Sequence, residues 1–476
     1  MKVASLPGIQ IRGIAYDSRQ VQPGDVFIAL TGLKAAGVEF AADAIRRGAV
    51  AVVADRPADA ATSVPWVIVD DARAAMASLA ADFYGHPSRS MQVVGITGTN
   101  GKTTTAYLLR AVFQSAGKKC GLLGTVAYSV GERELPALRT TPEAPDVQRM
   151  FHQMVQAGCR ACVMEVSSHA LALRRVDDTT FAAGVFTNLT RDHLDYHGDM
   201  ESYFSAKKRL FEMLPTGAPA VINLDDPRGE SLKKLVTTPI TYAINKPADV
   251  TPGPLTLSFE GLEFEARTAK GVVQVRSRLV GRPNVSNILA TVATASALDI
   301  PPSAIERGLA SLSGVPGRFE VVSGRTDDIT VVIDYAHTDD ALKNLLETAR
   351  PLAQHRVITV FGCGGDRDRT KRPLMGAVAA RLSDIVVITS DNPRTEEPAR
   401  IIEEIKRGIP PPSDRSAATF AIVDRKEAIQ FAIRKAQPGD LVLLAGKGHE
   451  HSQTIGSQEL PFDEAAIARE ALERRR

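Results

Sequence analysis

The feature that most constrains this chain is a glycine-rich turn between an apolar run and a helical run. Residues Met91–Ile96 predict a buried strand, and Gly98–Thr104 then read Gly-Thr-Asn-Gly-Lys-Thr-Thr. Glycines let the backbone turn tightly, so that N–H groups and the N-terminus of the next helix can face phosphate oxygens. Lys102 would reach the outer phosphates and the Thr103 hydroxyl would bind Mg²⁺. The sequence therefore predicts a strand–loop–helix unit that binds ATP or GTP.

The glycine spacing departs from the commonest form of such a loop. Ile96 stands where Gly-x-x-x-x-Gly-Lys-Thr requires its first glycine, and the glycines here recur at every third position, at 95, 98 and 101. The strand before the loop and the helix after it still favour a phosphate site over a chance turn. The predicted nucleotide-binding residues of the loop are Gly98, Thr99, Asn100, Gly101, Lys102, Thr103 and Thr104.

Apolar runs of strand length alternate with helical patterns along most of the chain. This alternation predicts an α/β fold with largely parallel sheets. One helix is predicted at Ala41–Arg47. The predicted strands are Asp25–Leu30, Val50–Ala54, Met91–Ile96, Cys162–Val166, Gly184–Thr187, Ala220–Leu224, Ile329–Asp334, Arg356–Phe361, Ile385–Thr389 and Leu441–Ala445.

The length of 476 residues exceeds that of an ordinary single domain, and two stretches interrupt the pattern. His86–Ser90 is polar and contains a proline, which is typical of a linker. Ser313–Gly317 combines two glycines with a proline. We therefore expect three domains, at 1–88, 89–314 and 315–476. The central domain would bind the nucleotide, and the C-terminal domain would be Rossmann-like.

Composition excludes several classes of protein. The 57 basic and 55 acidic residues nearly balance, which removes the electrostatic case for a dedicated nucleic-acid binder. No apolar run has the length of a membrane span, and the N-terminus lacks a signal-peptide core, so we expect a cytoplasmic protein. The four cysteines are too few for a disulfide scaffold. Cys159 and Cys162 form a C-x-x-C pair at the start of an apolar run, and we expect them to pack there.

Two segments favour metal chemistry. Glu165 ends a predicted buried strand, where an ionised carboxylate needs a partner or a metal. Residues 187–198 place two histidines and two aspartates after another strand, at the sheet edge where ligands gather. His193 taken alone would be a core histidine, but beside a phosphate loop we favour a metal role.

A second glycine-rich segment, residues 361–367, follows a predicted strand and resembles a dinucleotide fingerprint. Its third glycine position is occupied by Arg367, so an NAD site is not expected. Arg367 instead suits an anionic substrate.

Nine motifs in fixed order resemble the Mur ligases over nearly the whole chain. They are TGTNGKTT, EVSSHAL, TNLTRDHLDYHGDM, GRPNVSN, GRFE, DYAHTDDAL, GCGGDRDRTKRPLMG, SDNPRTEEP and AGKGHE. The resemblance implies an N-terminal UDP-substrate domain, a central ATPase domain and a C-terminal amino-acid domain. It also implies ATP-dependent addition of the third peptide residue to UDP-N-acetylmuramoyl-L-alanyl-D-glutamate. The D-glutamate carboxylate is first phosphorylated, and an amine then attacks the acyl phosphate.

The resemblance also implies residue roles. Lys102, Glu165, His193 and Lys207 would be catalytic, and Mg²⁺ would be held by Thr103, Glu165, His193 and a carbamylated Lys207. Asn287, Arg318 and Asp334 would contact ATP. The UDP-substrate residues would be Ser18, Thr140, Thr141, Ser167 and Arg175.

The incoming amino acid is expected to be meso-2,6-diaminopimelate rather than L-lysine. Diaminopimelate carries an additional carboxylate, for which Arg394 offers a planar fork. The alternative is an ordinary turn whose arginine pairs with Glu396 or Glu397. The implied amino-acid site comprises Arg367, Asp391, Asn392, Pro393, Arg394, Gly446 and Glu450.

Other functions remain open at this point. A folylpolyglutamate synthase would share the ATPase core, a phosphate-loop kinase would form no amide, and a non-catalytic nucleotide-binding module would need no metal residues. Leu173 and Asp339 depart from the family pattern, which usually has Gln and Pro there. We expect a monomer that acts on small molecules and binds neither nucleic acid nor membrane.

Overall fold

The computed structural model describes residues 8–32, 36–59, 61–324, 326–411 and 417–475, which form three α/β units in chain order. Each unit is built on its own mostly parallel sheet, so the predicted α/β class is confirmed. Within these residues no helix combines the length and apolarity that crossing a membrane would require.

The N-terminal unit has a four-stranded parallel sheet in the order β1-β2-β3-β4. Its strands are β1 (Gly13–Ala15), β2 (Asp25–Ala29), β3 (Ala51–Ala54) and β4 (Trp66–Ile68). Its α-helices are α1 (Ala41–Arg46) and α2 (Ala72–Phe83), with 3₁₀ turns at Ser18–Gln20 and Gly37–Phe40.

The central unit has an eight-stranded sheet in the order β12-β11-β10-β5-β9-β6-β7-β8. At one edge β7 pairs antiparallel with both β6 and β8, and the other pairings are parallel. The strands are β5 (Gln92–Thr97), β6 (Cys120–Leu123), β7 (Ala127–Val130), β8 (Arg133–Pro136), β9 (Ala161–Glu165), β10 (Ala183–Phe186), β11 (Ala220–Asn223) and β12 (Pro239–Tyr242).

Helices cover both faces of the central sheet. They are α3 (Lys102–Ser115), α4 (Ala144–Gln156), α5 (Ser168–Ala172), α6 (Leu194–His197), α7 (Met200–Glu212), α8 (Gly229–Leu235), α9 (Arg282–Ala297) and α10 (Pro302–Ser311). A small antiparallel sheet packs against α9 and α10. It comprises β13 (Thr251–Pro252), β14 (Thr256–Ser258), β15 (Gly261–Thr268) and β16 (Gly271–Ser277).

The C-terminal unit has a six-stranded sheet in the order β17-β18-β22-β19-β20-β21, parallel except for β17. The strands are β17 (Glu320–Val321), β18 (Thr330–Asp334), β19 (Val357–Phe361), β20 (Ile385–Ile388), β21 (Ala418–Ala421) and β22 (Leu441–Ala445), followed by the hairpin β23 (Ser452–Ile455) and β24 (Gln458–Pro461). The helices are α11 (Asp339–Ala349), α12 (Lys371–Leu382), α13 (Pro398–Lys406), α14 (Arg425–Lys435) and α15 (Glu464–Glu473).

The continuous apolar strands follow from burial on both faces. In β5, Val94 and Ile96 enter the core on the α3 face, while Val93 enters the core on the opposite face. Neighbouring residues of β18 divide in the same way between two cores. Parallel sheets covered by helices need apolar residues at successive positions. Each predicted strand is present, and its ends lie within one residue of the prediction.

The two predicted interruptions differ in structure. The first contains a 3₁₀ turn, Pro87–Ser90, in which Pro87 and Ser88 are buried and the Ser88 hydroxyl accepts a hydrogen bond from Thr180 N. It is a packed connection rather than a free linker. At the second, Val315 packs into the central core, whereas Phe319 packs against a C-terminal core. The chain therefore passes from one core to the next within residues 315–319.

The cysteines contribute to packing, as expected. Cys120, Cys159 and Cys162 are buried free thiols, and burial raises the pKa of Cys162 well above its ordinary value. Within the described residues, no three His, Cys, Asp or Glu side chains form a group that could hold a metal ion by themselves.

Candidate active site

The phosphate loop connects β5 to α3 in a backbone form that requires glycine. Gly98 and Gly101 have φ of 150° and 87°. A Cβ on Gly98 would lie 1.9 Å from Thr187 Oγ1, and one on Gly101 would lie 2.3 Å from Asn287 Oδ1. The first N–H groups of α3 have no partner within the helix, so they face the space where phosphate would bind. The glycines therefore permit a close approach of the loop to its neighbours.

The loop is held by the segment that follows β10. Thr99 N donates to Asn188 O at 2.9 Å, and Asn100 N donates to Asn188 Oδ1 at 2.9 Å. Thr187 Oγ1 donates to Asn100 O at 2.6 Å. Lys102 Nζ turns back on the loop and donates to Gly98 O and Thr99 O. Burial lowers the pKa of Lys102, which lies close to the negative charge of Glu165.

Glu165 lies at the end of β9 and is 1% exposed. One carboxylate oxygen accepts from Thr125 N at 2.8 Å, and the other accepts from Thr103 Oγ1 at 3.0 Å and Thr125 Oγ1 at 3.1 Å. Mg²⁺ prefers such oxygens, and nucleotide sites usually bind it through one or two protein groups together with phosphates. The Thr103–Glu165 pair therefore has the chemistry of a magnesium site.

His193 lies immediately before α6 and has a left-handed φ of 54°. Its Nε2 is 3.3 Å from Asp192 Oδ2, and the ring packs edge-on against His169 at 4.8 Å between centroids. Burial lowers the pKa of His193 to about 3, so the ring is neutral at pH 7 and keeps a lone pair for a ligand. His337 of the C-terminal unit approaches Asp192 from the other side, at 4.0 Å.

Lys207 is buried on α7 beneath the phosphate loop. Its Nζ donates to Gly98 O at 2.7 Å, the same oxygen that Lys102 contacts, and lies 4.5 Å from the centre of the Tyr203 ring. Burial and the neighbouring charge of Lys102 lower the pKa of Lys207 well below its ordinary value. This shift increases the fraction of the amine that is neutral.

A cleft of about 260 Å³ between the central and C-terminal units is lined by the phosphate loop, Glu165 and His193, whereas Lys207 lies outside its lining. The predicted residues that line it are Thr99, Asn100, Gly101, Lys102, Thr103, Thr104, Thr140, Glu165, Ser167, His193, Asn287, Arg318 and Asp334. Arg318 Nη2 donates to Thr103 Oγ1 at 3.2 Å, and its guanidinium stacks on Tyr335. Asp334 accepts from Phe319 N and Ala336 N, and burial raises its pKa.

The predicted UDP-substrate residues fall into two groups. Thr141 Oγ1 donates to Glu165 O and accepts from Ser167 N. Arg175 Nη1 donates to Thr141 O at 3.1 Å, and Thr140 Oγ1 lies 3.1 Å from Thr125 Oγ1. These four residues therefore adjoin Glu165. Ser18 does not join them, because it lies in a 3₁₀ turn of the N-terminal unit.

The predicted amino-acid residues meet at the carboxyl edge of the C-terminal sheet. Arg394 has a φ of 52°, and its Nη1 donates to Gly365 O at 2.8 Å. Burial, and then the charge of Arg367, lower the pKa of Arg394. Among the described residues, no carboxylate lies within ion-pair distance of this guanidinium. Glu396 is bonded instead to the buried Arg372 at 2.7 Å, which lowers the pKa of Glu396 to about 2.

The rest of this subsite is a connected polar group. Asn392 Nδ2 donates to Glu450 Oε2 at 2.9 Å, and Gly446 passes close to Asp391, where a Cβ would lie 2.9 Å from Oδ2. Pro393 is buried, and its carbonyl packs against Gly365. Asp391 has its pKa lowered by the charges of Arg425 and Lys447, against the effect of burial.

The structure adds residues that sequence reasoning missed. Thr125 orients Glu165, Asn188 braces the phosphate loop, Asp192 lies between two histidines, and Lys447 contacts both Asn392 and Glu450. Asn188 and Asp192 lie inside the 187–198 segment, and Lys447 lies between Gly446 and Glu450. The position of Asn188, Asp192 and Lys447 within these motifs could have indicated a role in the site, whereas Thr125 lies in none of the motifs.

Comparison with known proteins gives consistent matches along the chain. The models described as "Mur ligase family, catalytic domain", "Mur ligase middle domain" and "Mur ligase, glutamate ligase domain" match residues 10–84, 96–295 and 317–448. A UDP-N-acetylmuramoyl-L-alanyl-D-glutamate–2,6-diaminopimelate ligase from Alkaliphilus metalliredigens is 46% identical, with 97% of this chain and 93% of the relative covered.

Solved structures give the same result for the fold. A structure titled as a UDP-N-acetylmuramoyl-L-alanyl-D-glutamate–2,6-diaminopimelate ligase is 34% identical with a TM-score of 0.68, covering 98% of this chain and 95% of the other. A MurF ligase from Thermotoga maritima in complex with ADP has a TM-score of 0.70 at 19% identity, with 98% and 100% covered.

Proposed function

The chain belongs to the Mur ligase family, and we propose that it is the ATP-dependent ligase that joins meso-2,6-diaminopimelate to UDP-N-acetylmuramoyl-L-alanyl-D-glutamate. The amide forms at the γ-carboxylate of D-glutamate, with ADP and phosphate as the other products. Its product would be a precursor of peptidoglycan. The reaction therefore belongs to cell-wall biogenesis.

A carboxylate does not react with an amine at neutral pH, so it must first be activated. Transfer of the γ-phosphoryl group of ATP to the γ-carboxylate gives an acyl phosphate and ADP. The amine of diaminopimelate attacks the acyl carbon, and the tetrahedral intermediate expels phosphate. Positioning and charge neutralisation supply most of the acceleration of such a phosphoryl transfer.

The residues of the cleft would hold the nucleotide and its charge. The phosphate loop would bind the phosphates through backbone N–H groups, with Lys102 turning from Gly98 O toward them. Asn287, Arg318 and Asp334 would contact the rest of the nucleotide. Thr103 and Glu165 would bind Mg²⁺ with His193 as a further ligand, and the metal, when bound, would neutralise phosphate charge.

The UDP-substrate would lie against the other side of Glu165. Thr140, Thr141, Ser167 and Arg175 form a connected polar group there, in which Thr141 and Arg175 are buried, and this group supports a role in placing the D-glutamate end of the substrate. Ser18 would bind the nucleotide end from the N-terminal unit. The substrate would therefore extend between the two units and bring its γ-carboxylate to the phosphate loop.

The guanidinium of Arg394, which has no carboxylate partner among the described residues, carries the assignment of diaminopimelate. Its neighbour Glu396 is fully engaged by Arg372, so Arg394 is not an internal ion pair. The distal carboxylate of diaminopimelate would accept hydrogen bonds from the planar guanidinium of Arg394. The carboxylate of Glu450 would accept a hydrogen bond from the distal ammonium. L-Lysine would leave the guanidinium unpaired, which costs about 2–5 kcal/mol, or about 30- to several thousand-fold in discrimination.

Competition kinetics test this assignment. Phosphate release and amide formation are measured with ATP and UDP-N-acetylmuramoyl-L-alanyl-D-glutamate, in the presence of diaminopimelate, L-lysine or no amine. The wild type should prefer diaminopimelate by kcat/KM, and Arg394→Lys should lose most of that preference because it lacks the planar fork. Arg400→Lys, an exposed arginine of α13, is the matched control and should keep it.

Four outcomes would contradict the proposal. Equal kcat/KM for the two amines would assign a less selective ligase, and an unchanged preference in Arg394→Lys would remove the role of that residue. A phosphorylated product that accumulates without amide would identify a kinase. Activity with a folate substrate in place of the UDP-substrate would identify the polyglutamate-forming alternative.

We also propose the domain limits 1–88, 89–314 and 315–476 and a monomeric enzyme that works in the cytoplasm. The passage of the chain between cores at residues 315–319 supports the second limit. Sedimentation would test the oligomeric state.

A further inference from the structure

A fully buried lysine stands behind the amino-acid subsite. Lys447 follows Gly446 at the end of β22, and its side chain is 0% exposed. Its Nζ donates to Glu450 Oε2 at 2.8 Å and to Asn392 Oδ1 at 3.1 Å. A buried ammonium is costly unless it is paired and hydrogen-bonded, so these contacts account for its burial.

The local backbone brings Lys447 and Glu450 together. Glu450 N donates to Lys447 O at 3.0 Å, which closes a turn of four residues and sets the two side chains side by side. Gly448 within this turn has a φ of 55°, and a Cβ there would lie 2.6 Å from Tyr335 Cβ. The turn therefore packs against Tyr335, which directly follows β18 and lines the nucleotide cleft.

The three side chains form a closed triangle. Asn392 Nδ2 donates to the same Glu450 oxygen that Lys447 contacts, at 2.9 Å, and Thr454 N donates to Asn392 Oδ1 at 3.0 Å. Lys447 and Thr454 N both donate to Asn392 Oδ1, and together they fix which end of the Asn392 amide faces Glu450. Within the described part of the chain, no protein donor is bonded to Glu450 Oε1.

We propose that Lys447 is a positioning residue for amino-acid recognition, which fixes Asn392 and Glu450 so that Glu450 Oε1 is directed at the distal ammonium of the incoming amino acid. The inference rests on the proposed function, because it takes Glu450 as the ammonium acceptor. Lys447 holds one carboxylate oxygen, and the substrate takes the other. Without Lys447 the Glu450 carboxylate keeps only the Asn392 amide as a donor and can rotate, so the acceptor is no longer preorganised.

The test compares two amines that differ only at the group concerned. meso-Diaminopimelate has a distal ammonium and a distal carboxylate, whereas L-2-aminopimelate keeps the attacking amine and the distal carboxylate but lacks the distal ammonium. In Lys447→Met, KM for diaminopimelate should rise about tenfold to a hundredfold, as for loss of a hydrogen bond to a charged group. KM for L-2-aminopimelate should change less than threefold, and KM for ATP and for the UDP-substrate should not change.

Lys406→Met is the matched control. Lys406 also pairs with a glutamate three residues away, Glu403 at 2.8 Å, but its side chain is 44% exposed on α13. Its removal should leave all four KM values unchanged. A double variant, Lys447→Met with Glu450→Gln, should bind diaminopimelate no more weakly than Glu450→Gln alone, since the lysine acts through the glutamate.

Each result decides the matter. Equal KM increases for both amines, or additive effects in the double variant, would make Lys447 a merely structural residue and overturn the inference. If Lys447→Met does not fold, Lys447→Gln replaces it, and failure of both to fold would likewise overturn the inference. A wild-type enzyme that does not use diaminopimelate would instead refute the proposed function, so the two failures are distinguishable.

Discussion

At the scale of single residues, burial lowers the pKa of the Lys207 amine and so changes its chemistry. Unmodified, it shares the oxygen of Gly98 with Lys102, so two amines converge on one carbonyl. The depressed pKa of Lys207 favours the neutral amine, which is the form that attacks CO₂. Attack forms an N–C bond and releases a proton, and the resulting carbamate would attract Lys102 and a metal. The surroundings of Lys207 therefore favour its carbamylation.

Lys207→Ala should lose most ligase activity and recover part of it when short carboxylates such as acetate are added. The reason is that a small anion can occupy the space of the carbamate. The measurement is the steady-state rate with and without acetate, together with the mass of the intact wild type prepared under CO₂. Lys208→Ala is the control, because Lys208 forms a surface pair with Glu212 at 2.9 Å. Full activity of Lys207→Ala would refute carbamylation as a requirement.

At the scale of secondary-structure elements, a buried arginine ties the ends of two strands beneath the amino-acid subsite. Arg425, at the start of α14, donates to Ser390 O after β20 and to Ala445 O at the end of β22. It also pairs with Glu464 of α15 at 2.6 Å, and both side chains are almost fully buried. Two strands and two helices thus meet at one guanidinium.

Arg425→Met should lower the free energy of unfolding by about 3–5 kcal/mol, because it leaves Glu464 as an uncompensated buried charge. Urea unfolding followed by circular dichroism measures the change. Arg434→Met, on the exposed face of the same helix, should change stability by about 0.5 kcal/mol or less. Equal losses in the two variants would show that the Arg425 network contributes nothing specific.

At the scale of the whole molecule, the volume of the cleft is smaller than its proposed ligands require. Its volume of about 260 Å³ is below the range of about 300–1,000 Å³ that ligand sites usually have. Contacts cross it directly: Asn100 Nδ2 donates to Asp340 Oδ2 at 2.9 Å, and Arg191 bonds to Thr370 and pairs with Asp368 at 3.6 Å. We therefore expect the C-terminal unit to open to admit ATP and to close for catalysis.

Small-angle scattering should show a smaller radius of gyration when an ATP analogue and the UDP-substrate are both present. The expected pivot is Val315–Gly317, where the chain changes cores. Arg191→Ala should compact less, because it loses contacts that form only on closure, whereas Arg400→Ala should compact like the wild type. A radius that does not change with ligands would contradict the closing motion.

Recognised motifs placed most of the nucleotide site in advance, but they did not identify its supporting contacts. The order of strand, glycine loop and helix predicted where Thr103 would lie, and the end of β9 predicted Glu165. The 3.0 Å contact between them, and the role of Thr125 in holding Glu165, depend on which strands become neighbours. The two edge strands β7 and β8 and the small sheet of β13–β16 were not predicted. The edge strands have only four residues each, and β15 and β16 alternate buried with exposed positions, so none of them forms a continuous apolar run.

The sequence by itself determined the parallel strands, because apolar runs that are buried on both faces can be recognised from local composition. It also determined the phosphate loop, since only glycine adopts the φ values at Gly98 and Gly101 without strain. Only the tertiary structure decided that Glu396 pairs with Arg372 rather than with Arg394, and that Lys447 contacts Asn392. Such contacts depend on distances between residues that are far apart in the chain, and local pattern contains no information about those distances.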